Sequence, residues 1–111
     1  AELRQVFVNL LHNAMHAMTQ GGEVRIEVET SNASMVLIRV IDTGVGIPPE
    51  NISRIFLPFF SRRADGQAGM GLGLAVCKSI VDRCGGTIAV ASEMSKNTVF
   101  TITLPLALGI S

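Results

Sequence analysis

Residues 35–41, Met-Val-Leu-Ile-Arg-Val-Ile, form a nearly unbroken apolar run that stops at Asp42 and is followed by Gly44 and Gly46. A run this short, rich in β-branched side chains, fits a strand. Apolar character on both faces places such a strand inside a sheet rather than at its rim. A buried central strand needs neighbours on both sides and a covering layer, so this stretch limits the chain to layered folds. Asp42 admits two readings. Asp-x-Gly is common turn chemistry. A carboxylate at the end of a strand can also accept a hydrogen bond from a ligand, with Gly44 and Gly46 letting the backbone come close to it.

The rest of the chain supplies the neighbours. Leu3, Val6, Phe7, Leu10, Ala14, Ala17 and Met18 recur at three- and four-residue spacing, which predicts a helix over 2–18, with Gly21 as its cap. Residues 23–30 alternate, with Val24, Ile26 and Val28 on one side and charges on the other, as a half-buried strand does. Residues 31–34 read as a turn, and Pro48-Pro49 as the start of a short helix through Ile55. A polar, glycine-containing loop follows Phe-Leu-Pro-Phe-Phe. A helix is then expected from about Gly71 to Arg83, stopped by Gly85-Gly86. Residues 87–93 and 98–106 read as a hairpin turning at Ser95-Lys96-Asn97. The order predicts an α+β fold, a two-layer α/β sandwich with helices on one face of a mostly antiparallel mixed sheet.

With 111 residues the chain makes one domain, spanning 1–111. Nine basic and nine acidic residues balance, so nothing in the charge points to nucleic acid. No apolar run approaches the roughly 18 residues of a membrane span. Cys77 and Cys84, seven apart in a helix, read as a reduced core pair, which fits a cytoplasmic domain. Helical periodicity is already under way at Leu3, as expected for a piece of a longer protein.

Three places could carry chemistry. Asn9 and Asn13 are spaced i, i+4 with His16 three further on, so all three share a helix face. Asparagine is a mediocre helix former, and a merely solvated face more often carries Glu, Lys or Gln. An amide oxygen is a hard ligand that suits Mg²⁺. Glycines at 66, 69, 71 and 73 run from a polar loop into a helix, where backbone N–H groups make an anion site suited to phosphate. Arg62 and Arg63 could be surface charge or could meet phosphates. Neither of two familiar phosphate loops fits. Cys77, not Gly, precedes Lys78-Ser79, and the segment before the glycines is polar rather than a strand.

Each signal is modest alone; their order is more specific. Asn-Leu-Leu-His-Asn-Ala, Asp-Thr-Gly-Val-Gly-Ile, Phe-Leu-Pro-Phe-Phe and Gly-Met-Gly-Leu-Gly-Leu resemble, in sequence order, the N box, first G box, F box and second G box of two-component sensor histidine kinases. The likeness is to their ATP-binding catalytic domain, in the superfamily shared with gyrase B, Hsp90 and MutL. It spans about residues 3 to 106 and implies the Bergerat ATP-binding fold. It implies that Asn13 coordinates Mg²⁺ between the phosphates and that Asp42 accepts a hydrogen bond from the adenine amino group. It places Asn9, His16, Gly44, Gly46, Ile47, Phe59, Arg62, Arg63, Gly69, Met70, Gly71, Leu72, Gly73 and Leu74 around ATP, with residues 61–70 as the lid.

Members of the superfamily that hydrolyse ATP carry a glutamate one turn before the Mg²⁺ asparagine, as the base that activates water. Here that position is Asn9, whose amide has no useful basicity. The resemblance therefore implies transfer of the γ-phosphoryl of Mg-ATP to a histidine of the kinase's own dimerisation domain. From there it would pass to a receiver-domain aspartate of a response regulator. Neither His12 nor His16 has the context of an acceptor histidine. The alternatives are a related protein-serine kinase of the anti-sigma-factor type and a non-catalytic nucleotide-sensing module.

Overall fold

The computed structural model describes residues 2–18, 21–31, 34–57 and 73–105. The elements are α1 (Glu2–Ala17), β1 (Val24–Ser31), β2 (Met35–Asp42), α2 (Pro49–Ile52), α3 (Gly73–Arg83), β3 (Thr87–Glu93) and β4 (Asn97–Pro105). The strands form one sheet in the order β1-β2-β4-β3, and every described pairing is antiparallel. The apolar strand β2 is internal, as its sequence requires, and it continues through Asp42. The fold is the expected α+β sandwich.

The core lies between the helices and one face of the sheet. Val6, Leu10 and Ala14 recur every four residues on α1 and are at most 1% exposed. Cys77, Ile80 and Val81 bury the facing side of α3. Strand β4 alternates strictly, turning Thr98, Phe100, Ile102 and Leu104 inward. Phe56 meets the Phe100 ring edge-on at 6.3 Å and 79°. Burying side chains of this size contributes about 1.5–3 kcal/mol each.

Helix α3 ends in a Schellman motif. Gly85, at φ +79, donates to the Asp82 carbonyl, and Gly86 donates to Val81. The Cys77 thiol donates to the Val6 carbonyl at 3.6 Å, and burial pushes its pKa up to about 11. Cys77 and Cys84 are both free thiols against the core.

Four expectations shift. Gly21 has φ +87 and donates to the Met18 carbonyl, but α1 has already ended at Ala17, so Gly21 closes the following turn instead of capping the helix. Helix α2 stops at Ile52 because Arg54 and Leu57 each donate to the carbonyl three residues back, which breaks the four-residue ladder. The hairpin turns at 94–96, since Asn97 already pairs with Glu93. Ile26 and Val28 face the helix side, opposite Val40 and Ile38, yet are 49% and 66% exposed. Helix α1 packs over β2 and α3 over β3, and β1 lies to the side.

Candidate functional site

Asp42 is the last residue of β2 and is 2% exposed. Its Oδ1 accepts the Gly44 N–H at 2.8 Å, so the turn chemistry legible in Asp-x-Gly is present. Burial pushes the Asp42 pKa above its ordinary 3.8, and the Gly44 hydrogen bond pulls back the other way. A second partner for this carboxylate, such as a donor on a ligand, would offset that desolvation.

The loop after Asp42 is pinned from several directions. Thr43 and Glu23 exchange two hydrogen bonds, one through the Thr43 hydroxyl. Val45 donates to the last carbonyl of α1, Ala17, at 3.0 Å, and accepts from Ser95 at 2.9 Å. Ile47 donates to Ser92 Oγ at 2.8 Å. The glycines permit this crowding. A Cβ on Gly44 would sit 2.6 Å from the Ala17 oxygen, and one on Gly46, at φ +83, 2.7 Å from the Glu93 oxygen. The close approach they allow in this structure is to the chain's own backbone.

Asn9 and Asn13 share a face of α1 as predicted, but their surroundings differ. Asn9 Nδ2 donates to the Gly73 carbonyl at 3.1 Å, and its Oδ1 accepts from Gln5 at 2.9 Å. Both ends of that amide are engaged, and they tie α1 to the start of α3. The half-buried Asn13 amide has no hydrogen-bond partner among the described residues. A carboxamide oxygen fits Mg²⁺, which takes few protein ligands and keeps its waters. His16 is exposed in the last turn of α1. Ile47 and Leu74 are half-buried against the core. Phe59, Arg62, Arg63, Gly69, Met70, Gly71, Leu72 and the rest of the proposed lid lie outside the described residues.

Sequence patterning missed Thr98 and Ser92. Thr98 is 2% exposed and pairs directly with Asp42, while Ser92 pairs with Thr98 from the other side. A signal existed: along the inward positions 98, 100, 102 and 104, Thr98 is polar among Phe, Ile and Leu. A cleft of about 230 Å³ opens nearby, lined by Ala17, Met18, Gly21, Thr43, Gly44, Val45 and Ser95. Gly44 and its neighbours in the pinned loop line this cleft, whereas Asp42 and Asn13 do not.

Residues 1–108 match the family described as histidine kinase-, DNA gyrase B- and HSP90-like ATPase. The chain belongs to that family. It is 44% identical over 104 residues to the sensor histidine kinase ZraS of Salmonella typhimurium, covering 94% of this chain and 22% of that protein. The chain thus spans about a fifth of the length of that relative. Among solved structures, the mycobacterial sensor histidine kinase MprB superposes with a TM-score of 0.83 at 31% identity, over 94% of this chain and 72% of that one. Full-length ShkA in complex with AMPPNP gives 0.82 at 31% identity, over 94% of this chain and 21% of that one. Within the family, these similarities place the chain with the ATPase domains of sensor histidine kinases. Among the described residues no helix is long and apolar enough to cross a membrane.

Proposed function

We propose that this chain is the ATP-binding catalytic domain, residues 1–111, of a histidine kinase of two-component signalling, and that it works on the cytoplasmic side. The observation that carries the proposal is Asp42. It is a buried carboxylate at a strand end, with a raised pKa and a loop built around it. An ionised carboxylate only accepts hydrogen bonds, so it favours the amino group of adenine and repels the carbonyl of guanine. AMPPNP in the similar ShkA structure supports an adenine nucleotide as the ligand.

The phosphates would lie toward Asn13 and the glycine-rich segment. The Asn13 amide oxygen would hold Mg²⁺, which would supply charge neutralisation for the triphosphate. The chain's own task is to position ATP and exclude competing geometry. The bond from the γ-phosphorus to the ADP oxygen breaks, and a bond to an imidazole nitrogen of the dimerisation domain forms. The partners are that domain, as a homodimer in the whole protein, and a receiver domain that takes the phosphoryl group onto an aspartate. Asn9 supports transfer over hydrolysis: its amide is neutral, and both its ends already bond within the protein.

Calorimetry with ADP, ATP and GTP, with and without Mg²⁺, tests the reading. Saturable adenine-nucleotide binding in the micromolar range, about −8 kcal/mol, is expected, with GTP silent. Radiolabel from ATP should then appear on a supplied dimerisation domain. A folded sample that ignores both adenine nucleotides rules the proposal out.

A further inference from the structure

The register of the sheet aligns three polar side chains across one end. Asp42 on β2 pairs with Thr98 on β4, and Thr98 pairs with Ser92 on β3. Further along the same face β4 is apolar, with Phe100, Ile102 and Leu104 buried. Buried polar groups persist where their hydrogen bonds close, so the protons can be assigned one by one. Ser92 Oγ has one proton and two lone pairs. The Asn97 carbonyl, 2.9 Å away, can only accept, and takes the proton. The Ile47 N–H, 2.8 Å away, can only donate, and fills one lone pair. The remaining contact, 3.0 Å to Thr98 Oγ1, is therefore a donation from Thr98 into the second lone pair. Thr98 has no other proton. Toward any further neighbour it is an acceptor only, and it stands beside a carboxylate that, when ionised, is also an acceptor only.

We propose that Ser92 sets the donor–acceptor sense of the base end of the site. By holding the Thr98 proton and the Ile47 N–H, it leaves Asp42 and Thr98 as a pair of acceptors. That pair takes a ligand atom carrying two protons and turns away a carbonyl. The inference rests on the nucleotide reading above and deepens it. The 6-amino group of adenine carries two protons, whereas the 6-carbonyl of hypoxanthine carries none. Ser92 needs no contact with the base. It is a positioning residue, acting through Thr98 and Ile47.

The test is the ratio of ADP to IDP affinity, measured by calorimetry on the chain and its variants, each checked by thermal melting. The unaltered chain is expected to prefer ADP by about 100-fold or more. Ser92→Ala frees the Thr98 proton, which can then turn toward a carbonyl. The ratio falls about tenfold, through stronger IDP binding as well as weaker ADP binding. Ser92→Thr keeps the hydroxyl and restores the ratio. With Thr98→Val already in place, Ser92→Ala leaves the ratio unmoved. A merely structural role would lower both affinities together, so an unchanged ratio in folded Ser92→Ala overturns the proposal. If that variant does not fold, Ser92→Cys decides. Its thiol is a weak acceptor of similar size, so the ratio falls, and an unchanged ratio overturns the proposal equally. A folded, unaltered chain that binds no ADP overturns the nucleotide reading itself, a result distinct from ADP binding with an insensitive ratio.

Discussion

At the end of the site assigned to the base, Asp42 accepts the Gly44 N–H at 2.8 Å, and Ser92 gathers Ile47, Asn97 and Thr98 within 3.0 Å. At the end assigned to the phosphates, the Asn13 amide has no hydrogen-bond partner among the described residues. On the proposed reading, the difference suits what each end would hold. A flat base with fixed donors and acceptors is best met by groups already locked in place. A hydrated metal ion and a phosphoryl group that must leave are better served by a ligand oxygen free to turn toward them.

The largest expected effect breaks the base end. Asp42→Asn should lower ADP affinity by about 100-fold, because the amide can turn a donor toward the adenine amino group. The fold should not suffer. The Asp42 pKa is raised in the folded state, so the folded protein holds its proton more tightly than the unfolded chain does. Stability is therefore lost as pH rises from 3.8 through the folded value. The Asn variant lacks this loss. It should melt at the same or a higher temperature near neutral pH, and the gap should close below about pH 3.8. A variant that loses ADP and also melts well below the unaltered chain would make Asp42 a structural residue.

Next comes the scaffold. Gly46→Ala combines a left-handed φ of +83 with a 2.7 Å clash on Glu93 and should cost roughly 2–3 kcal/mol in urea unfolding. Little loss there would show that the loop can yield and that the base end is not locked. A smaller effect separates the two ends. Asn13→Ala should remove about tenfold of the affinity that Mg²⁺ adds to ATP, and leave Mg²⁺-free ADP binding as it was. Equal losses with and without Mg²⁺ would move Asn13 to the base end. The smallest change is Gln5→Ala, which releases an exposed hydrogen bond to Asn9 and should cost about 0.5 kcal/mol. A large kinetic effect on phosphotransfer would instead make the Gln5–Asn9–Gly73 chain part of the machinery.

Much of the fold was legible because burial leaves a period in the sequence. The three- and four-residue recurrence on α1 contains its buried residues Val6, Leu10 and Ala14, and the apolar run of β2 marks an internal strand. The pattern was weaker where coverage mattered. Ile26 and Val28 alternate like core residues, but alternation reports which face a side chain takes, not whether a helix lies over it. The candidate site was legible where a motif is local, as in Asp42 with its following glycines. Thr98 and Ser92 lie 56 and 50 positions beyond Asp42, and nothing local marks them as its neighbours.

The sequence alone determined the internal strand, the helix face holding both asparagines, and an acid at the strand end. These follow from side-chain polarity at fixed backbone periods. The tertiary structure decided that Asn9 is already engaged, what the glycines make room for, and which groups gather around the Ser92 and Thr98 hydroxyls. Those depend on atoms distant in the chain coming within about 3 Å of one another, where a single proton can serve only one partner.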